Sequence, residues 1–293
     1  MKKIFVLATL CAATQLAPAQ DGRQQVVQDG IAVKPLKDGL VRRITAPEEA
    51  VNEQSAQQYT ALMGQAQQKG ALVPATDPQV KRLRAIAQRI IPYTARWNPK
   101  AQDWKWQVNL LKSDQVNAFC MPGGRIGFFT GIIDKLKLTD DEIAAVMGHE
   151  IAHALREHGR DRQTKATATG LASQLGGALL SAWTGYDVRG IANGLGQVVV
   201  LKFSRDEERE ADLVGLDISA RAGYDPRAGI ALWRKMAALN QSAPIELLST
   251  HPGGEHRIEQ IQNHMNVLLP LYARSRNTSV DRLPPYRSNV AVR

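Results

Sequence analysis

The string Met147-Gly148-His149-Glu150-Ile151-Ala152-His153 holds two imidazoles and a carboxylate at a spacing that can do chemistry. Thr139 followed by Asp140, Asp141 and Glu142 signals a helix start, with an apolar run from Ile143. On a helix, His149 and His153 point the same way and can both hold one metal ion. Glu150 is displaced by one step, within reach of a water on that metal but not of the metal itself. With six histidines in 293 residues, chance alone gives H-E-x-x-H about 0.005 times.

A catalytic zinc takes three protein ligands plus a water. A third ligand in the pattern H-E-x-x-H-x-x-G-x-x-H is absent, because Arg156 stands in place of Gly and Gly159 in place of His. His158 falls roughly 140° around the helix from His153, which leaves it an outer or surface role. The better source is FSRDEEREADLVGLDISA, a charged helix with a small apolar seam of Ala211, Val214, Gly215 and Ile218. Glu208 and Asp212 are four apart and share a face, while Glu207 and Glu210 face elsewhere. One of that pair could ligate metal and the other accept the outer N–H of a ligating histidine.

The elements that position these groups follow from period and punctuation. A helix runs from Pro47 to near Gly70, and Asp77-Pro78 opens a second with Val80, Leu83, Ile86, Ala87 and Ile90 on one face. WKWQVNLL alternates as a half-buried strand. NAFCMPGGRIGFFTGII adds two apolar runs around a Pro-Gly-Gly turn, which predicts a small antiparallel sheet of about three strands. Helical periods return after Thr139. The fold class is therefore α+β and mostly helical. GLASQLGGALLSAWTG and GIANGLGQVVVL are apolar and Gly-rich, and read either as helices packed beside the site or as a lid or membrane-facing flap.

Composition is that of a globular chain, with 44% hydrophobic and 22% charged residues, which excludes collagen, coiled coil and wholesale disorder. Two cysteines cannot build a Cys-based zinc ribbon. Lys2 and Lys3, an apolar run from Ile4 to Ala13 and Ala17-Pro18-Ala19 have the shape of a signal peptide over residues 1–19. Its removal brings the formal charge from +9 to +7 and leaves Cys120 as the sole thiol, read as a buried small hydrophobe. Residues 20–45 are polar and aperiodic, a flexible N-terminal segment. Residues 271–293 carry five arginines against one aspartate, a basic and flexible tail that could meet an anionic membrane surface. Basic residues are not interleaved with aromatics, so nucleic acid is not an expected partner.

HEIAHALREH followed by FSRDEEREAD resembles the zinc metallopeptidase family of the CAAX prenyl protease, the heat-shock protease HtpX and the mitochondrial Oma peptidase. The resemblance covers about residues 45–270 and implies a zincin-like metallopeptidase domain over 46–270. It implies one zinc per chain held by His149, His153 and Glu208, with Asp212 behind a ligand, Glu150 as general base and protein or peptide substrates. NAFCMPGGRIGFFTGII resembles the family's edge strand beside the cleft, which implies Asn117 and Gly123 as contacts to substrate backbone. Thr250-His251-Pro252 with Arg257-Ile258 matches a further element, implying that His251 and Arg257 stabilise the oxyanion. His251 equally suits a latch in zinc's open position, or simple structural duty ahead of the next helix. Without long apolar spans or a repeat array, the chain is similar to short periplasmic members. That implies an endopeptidase of the bacterial envelope acting on misfolded or membrane-associated proteins. Two rival classes stand against it: a chaperone-like envelope protein and a structural zinc protein.

Overall fold

The computed structural model describes residues 29–36, 39–168, 203–241 and 245–290. The expected signal peptide, the first part of the 20–45 segment and the Gly-rich 170–200 stretch lie outside the described residues. Helices α1 (Leu40–Thr45), α2 (Glu48–Gln68) and α3 (Pro78–Ile90) precede the sheet. Asp77 accepts the Gln79 N–H at 2.7 Å and Pro78 takes the first helical position, so α3 starts where the punctuation predicts. Its five predicted apolar positions are all buried.

Strands β1 (Gln107–Leu111), β2 (Ala118–Met121) and β3 (Arg125–Phe129) form one sheet in the order β1-β3-β2. The sheet is mixed, which corrects the antiparallel expectation. Cys120 pairs antiparallel with Ile126, whereas Val108 pairs with Ile126 in parallel. The reason is strand order: the chain reverses after β1 and again at Pro122-Gly123-Gly124, so β3 regains the direction of β1 and inserts between it and β2. Side chains alternate between two apolar layers. Ala118, Cys120, Ile126 and Phe128 enter the main core, while Phe119, Met121 and Phe129 meet Tyr59, Leu62 and Met63 of α2. Burial of Cys120 pushes its thiol well above the ordinary range, as suits a packing residue.

The rest is helical: α4 (Thr130–Leu136), α5 (Asp140–Leu155), α6 (His158–Ala168), α7 (Arg205–Arg221), α8 (Ala228–Asn240), α9 (Glu246–Thr250), α10 (Glu255–Asn263) and α11 (Met265–Ser275). Reciprocal capping boxes start both site-bearing helices, Thr139 with Glu142 on α5 and Ser204 with Glu207 on α7. Residues 271–275, placed in the tail by composition, complete α11 because Leu271 and Ala273 are buried. Further on, the Tyr286 hydroxyl lies 3.2 Å from Thr139 Oγ1, and Ser288 donates to Glu142 at 2.6 Å, at the start of α5. Among the described residues, no helix is long and apolar enough to cross a membrane.

Helix α5 packs most extensively on α7. They cross at two glycines: a Cβ on Gly148 would stand 2.5 Å from the Gly215 carbonyl oxygen, and one on Gly215 would stand 2.6 Å from the Gly148 carbonyl carbon. Both obstacles are backbone, so neither can rotate away. Ala211, Val214 and Ile218 of the predicted seam are buried, and the glycine pair sets the distance between the helices. Gly215→Ala is expected to cost about 1–3 kcal/mol of stability, read as an earlier midpoint in urea denaturation.

Candidate metal centre

The α5–α7 crossing brings four side chains together: His149 and His153 from α5, Glu208 from α7, and His251 at the end of α9. His149 Nε2 lies 3.1 Å from His153 Nε2 and 3.2 Å from His251 Nδ1. Glu208 Oε1 lies 2.9 Å from His251 Nδ1 and 3.5 Å from His153 Nε2. A tetrahedron with zinc–ligand arms of about 2.0–2.1 Å has edges of about 3.3 Å, so the four buried donors outline a polyhedron of the right size. Imidazoles with one carboxylate also suit zinc chemically. Charge points the same way. Three buried carboxylates, Glu150, Glu208 and Asp212, stand around the donors, a setting that favours a cation.

Behind the donors, His149 Nδ1 lies 3.1 Å from Asp212 Oδ1, and donating there leaves the Nε2 lone pair facing the cluster. Asp212 in turn accepts from Arg257 at 2.7 Å (Nε) and 2.6 Å (Nη2), while Arg257 Nη1 stands 2.5 Å from Glu208 Oε2. The guanidinium also stacks 3.6 Å over the Trp233 ring. Arg257 therefore spends its donors on two carboxylates of the site. His153 is backed differently, with its Nδ1 2.9 Å from His158 Nδ1. The Phe203 ring lies against His153, with centroids 3.8 Å apart, and carries Arg162 on its face at 3.5 Å.

Helical extrapolation carries His158 away from His153, and the structure returns it. Helix α5 stops at Leu155, Glu157 adopts a left-handed φ of 56°, and α6 begins at His158. Nothing in Arg156-Glu157 announces that break, since neither is a customary residue for it.

Burial raises the Glu150 carboxyl above the ordinary carboxylate range, against the pull of His251 and His149. Its Oε1 has no hydrogen-bond partner among the described residues and faces His251 Nε2 at 3.9 Å. Burial would raise Glu208 too, but His251 and Arg257 outweigh it and hold that carboxyl well below the range. Asp212 is likewise held low against burial by Arg257 and His149. Burial drives His153 well below its ordinary value despite Glu208, keeping it in the neutral form a ligand needs.

The two residues expected at the substrate edge flank β2. Asn117 is buried, its Oδ1 accepting the Ala118 N–H at 2.9 Å, and Gly123 turns the chain toward β3 with a φ of 79° that favours glycine. Strand β2 packs on α5, and a cavity beside His153 is lined by Val51, Trp104, Cys120 and Pro122. A second cavity, beside His149 and Glu150, is lined by Val146, Leu216, Leu232, Trp233 and Leu247.

The chain is similar to known proteins over this region. Residues 77–265, which include every donor above, match the model of peptidase family M48. The chain is 36% identical over 171 residues to the mitochondrial metalloendopeptidase OMA1 of Arabidopsis thaliana, across 57% of this chain and 33% of that protein. It is 30% identical over 195 residues to OMA1 of Schizosaccharomyces pombe, across 65% of this chain and 54% of the other. It is also 30% identical over 181 residues to the beta-barrel assembly-enhancing protease of Escherichia coli, across 57% of this chain and 36% of that one. The chain thus spans between a third and about half the length of these relatives. A family model matched over residues 77–265, a span that takes in α5, α7 and the His251 segment, is decisive: the chain belongs to peptidase family M48.

Proposed function

We propose that the chain is a zinc-dependent endopeptidase of the bacterial cell envelope, hydrolysing peptide bonds in misfolded or membrane-associated proteins. The observation that carries this reading is Glu150, a buried carboxylate with an unpaired oxygen beside a complete set of zinc donors. Zinc held by His149, His153 and Glu208 would supply Lewis acidity to the scissile carbonyl and acidity to water. Glu150 takes the proton of the attacking water and passes it to the leaving amine. Asp212 and Arg257 hold His149 in the tautomer that ligates. Strand β2, with Asn117 and Gly123 at its ends, pairs with substrate backbone.

The signal-like start supports export to the periplasm, as does similarity to an E. coli protease whose name ties it to β-barrel assembly. The arginine-rich tail supports contact with an anionic membrane surface. Purified chain offered unfolded casein provides the test. Cleavage is expected to stop with 1,10-phenanthroline and to return with one equivalent of zinc per chain. Cleavage that persists in metal-free protein would contradict the reading.

His251 favours a second reading. Its Nδ1 fills the fourth corner of the donor set, 2.9 Å from Glu208 Oε1, where a catalytic site keeps an open position. In this conformation the protein is latent, either a peptidase awaiting displacement of His251 or a chaperone-like or structural zinc protein with little proteolysis.

A further inference from the structure

Two histidines of the donor set face the same requirement: each must present a lone pair on Nε2, which requires its proton on Nδ1 and an acceptor there to hold it. His149 finds that acceptor in the Asp212 carboxylate. No carboxylate stands behind His153 among the described residues. The group at its Nδ1 is the ring of His158, nitrogen to nitrogen at 2.9 Å, with both side chains buried.

This contact determines tautomers in sequence. His153 donates from Nδ1, so His158 accepts on Nδ1 and carries its own proton on Nε2. That nitrogen points at Glu210, with Oε2 3.5 Å away. Glu210 is in turn bound by the Arg156 guanidinium through Nε and Oε1. Arg156 also reaches the Lys34 carbonyl, which ties the far end of the chain of contacts to the N-terminal segment. The acid that should face elsewhere on α7, Glu210, thus closes a line running Arg156–Glu210–His158–His153. It is built from the short break between α5 and α6 together with the neighbouring face of α7.

Resting on the zinc site proposed above, we infer that His158 is a positioning residue: accepting at Nδ1 and held by Glu210 at Nε2, it locks the tautomer and ring plane of His153 and so sets metal affinity. It touches neither metal nor substrate. A packing role and a hydrogen-bonding role predict opposite orders for two substitutions. His158→Phe keeps the ring volume and removes the acceptor. His158→Asn loses volume but keeps an oxygen near the place of Nδ1.

The experiment is a zinc competition titration against a chromophoric chelator, on full-length chain, with circular dichroism of the metal-free proteins as the folding control. Zinc affinity should fall by about tenfold or more in His158→Phe and stay within about threefold of wild type in His158→Asn, as expected for a partner of a ligating histidine. Wild-type affinity in His158→Phe, or an equal loss in both variants, overturns the inference. Should His158→Phe fail to fold, Glu210→Leu carries the test, with a several-fold loss supporting it and unchanged affinity overturning it. A wild-type chain that binds no zinc removes the zinc site itself. One zinc in wild type beside full affinity in His158→Phe removes only the role of His158.

Discussion

Glu150→Gln is expected to lower the rate of peptide-bond cleavage by about 10²–10⁴-fold, the usual contribution of a positioned general base, while zinc affinity stays within a few-fold of wild type. The amide keeps the size and most of the packing of a side chain that is only 4% exposed. It cannot accept a proton from water. Glu150 is not one of the four converging donors, which is why binding and catalysis should separate in this variant. Its surroundings suit proton transfer, because burial raises its proton affinity toward that of a working base and its Oε1 is free to take the proton. The measurement pairs casein cleavage with zinc titration on the same preparation. Unchanged cleavage would mean that another group is the base, and His251 would be the first to examine because its Nε2 lies 3.9 Å away.

Arg257→Ala should be the most damaging single truncation for the fold of the site. The residue is 4% exposed, and its guanidinium is the cation shared by Asp212 and Glu208, themselves 5% and 1% exposed. Removing one partner from a buried ion pair leaves charge without compensation, a loss of about 3–5 kcal/mol. The loss should be largest in metal-free protein, because a bound divalent cation would neutralise part of the imbalance. Arg257→Lys should recover little. Lysine offers a single point charge where the structure uses a planar fork on Asp212, another contact to Glu208 and a face stacked on Trp233. Urea denaturation of the wild type and both variants, with and without zinc, checks the size and the metal dependence of the effect. Wild-type stability in metal-free Arg257→Ala would remove Arg257 from this electrostatic role.

The pairs His149/His153 and Glu208/Asp212 are legible in the sequence because helix geometry puts residues four apart on one face, and Thr139 announces the start of α5; which carboxylate of the second pair faces the histidines comes only from the resemblance. Which glycines let the two faces meet is not legible in the sequence. The small seam of Ala211, Val214, Gly215 and Ile218 marks a face, yet that Gly148 stands opposite Gly215 and sets the distance is a pairing that exists only in three dimensions. The sheet shows the same boundary. The Pro-Gly-Gly turn specifies how β2 meets β3, but the position of β1 depends on which strand occupies the middle, and that is decided by packing on both faces. His251 and Arg257 reach the site from segments far along the chain and carry no local spacing rule, so only a resemblance can point to them. His158 escapes for a simpler reason: a helix assumed to continue breaks at Glu157.

Peptidase function at the proposed zinc site is decided by the rate of unfolded-casein cleavage as metal-stripped protein is titrated with zinc, run on wild type and His251→Ala side by side. Cleavage is expected to rise with zinc and to level at one ion per chain. If His251 holds the fourth corner as a latch, His251→Ala is the faster protein, and if it stabilises the oxyanion, wild type is. Absence of cleavage by either protein at one bound zinc per chain would contradict the proposed peptidase function.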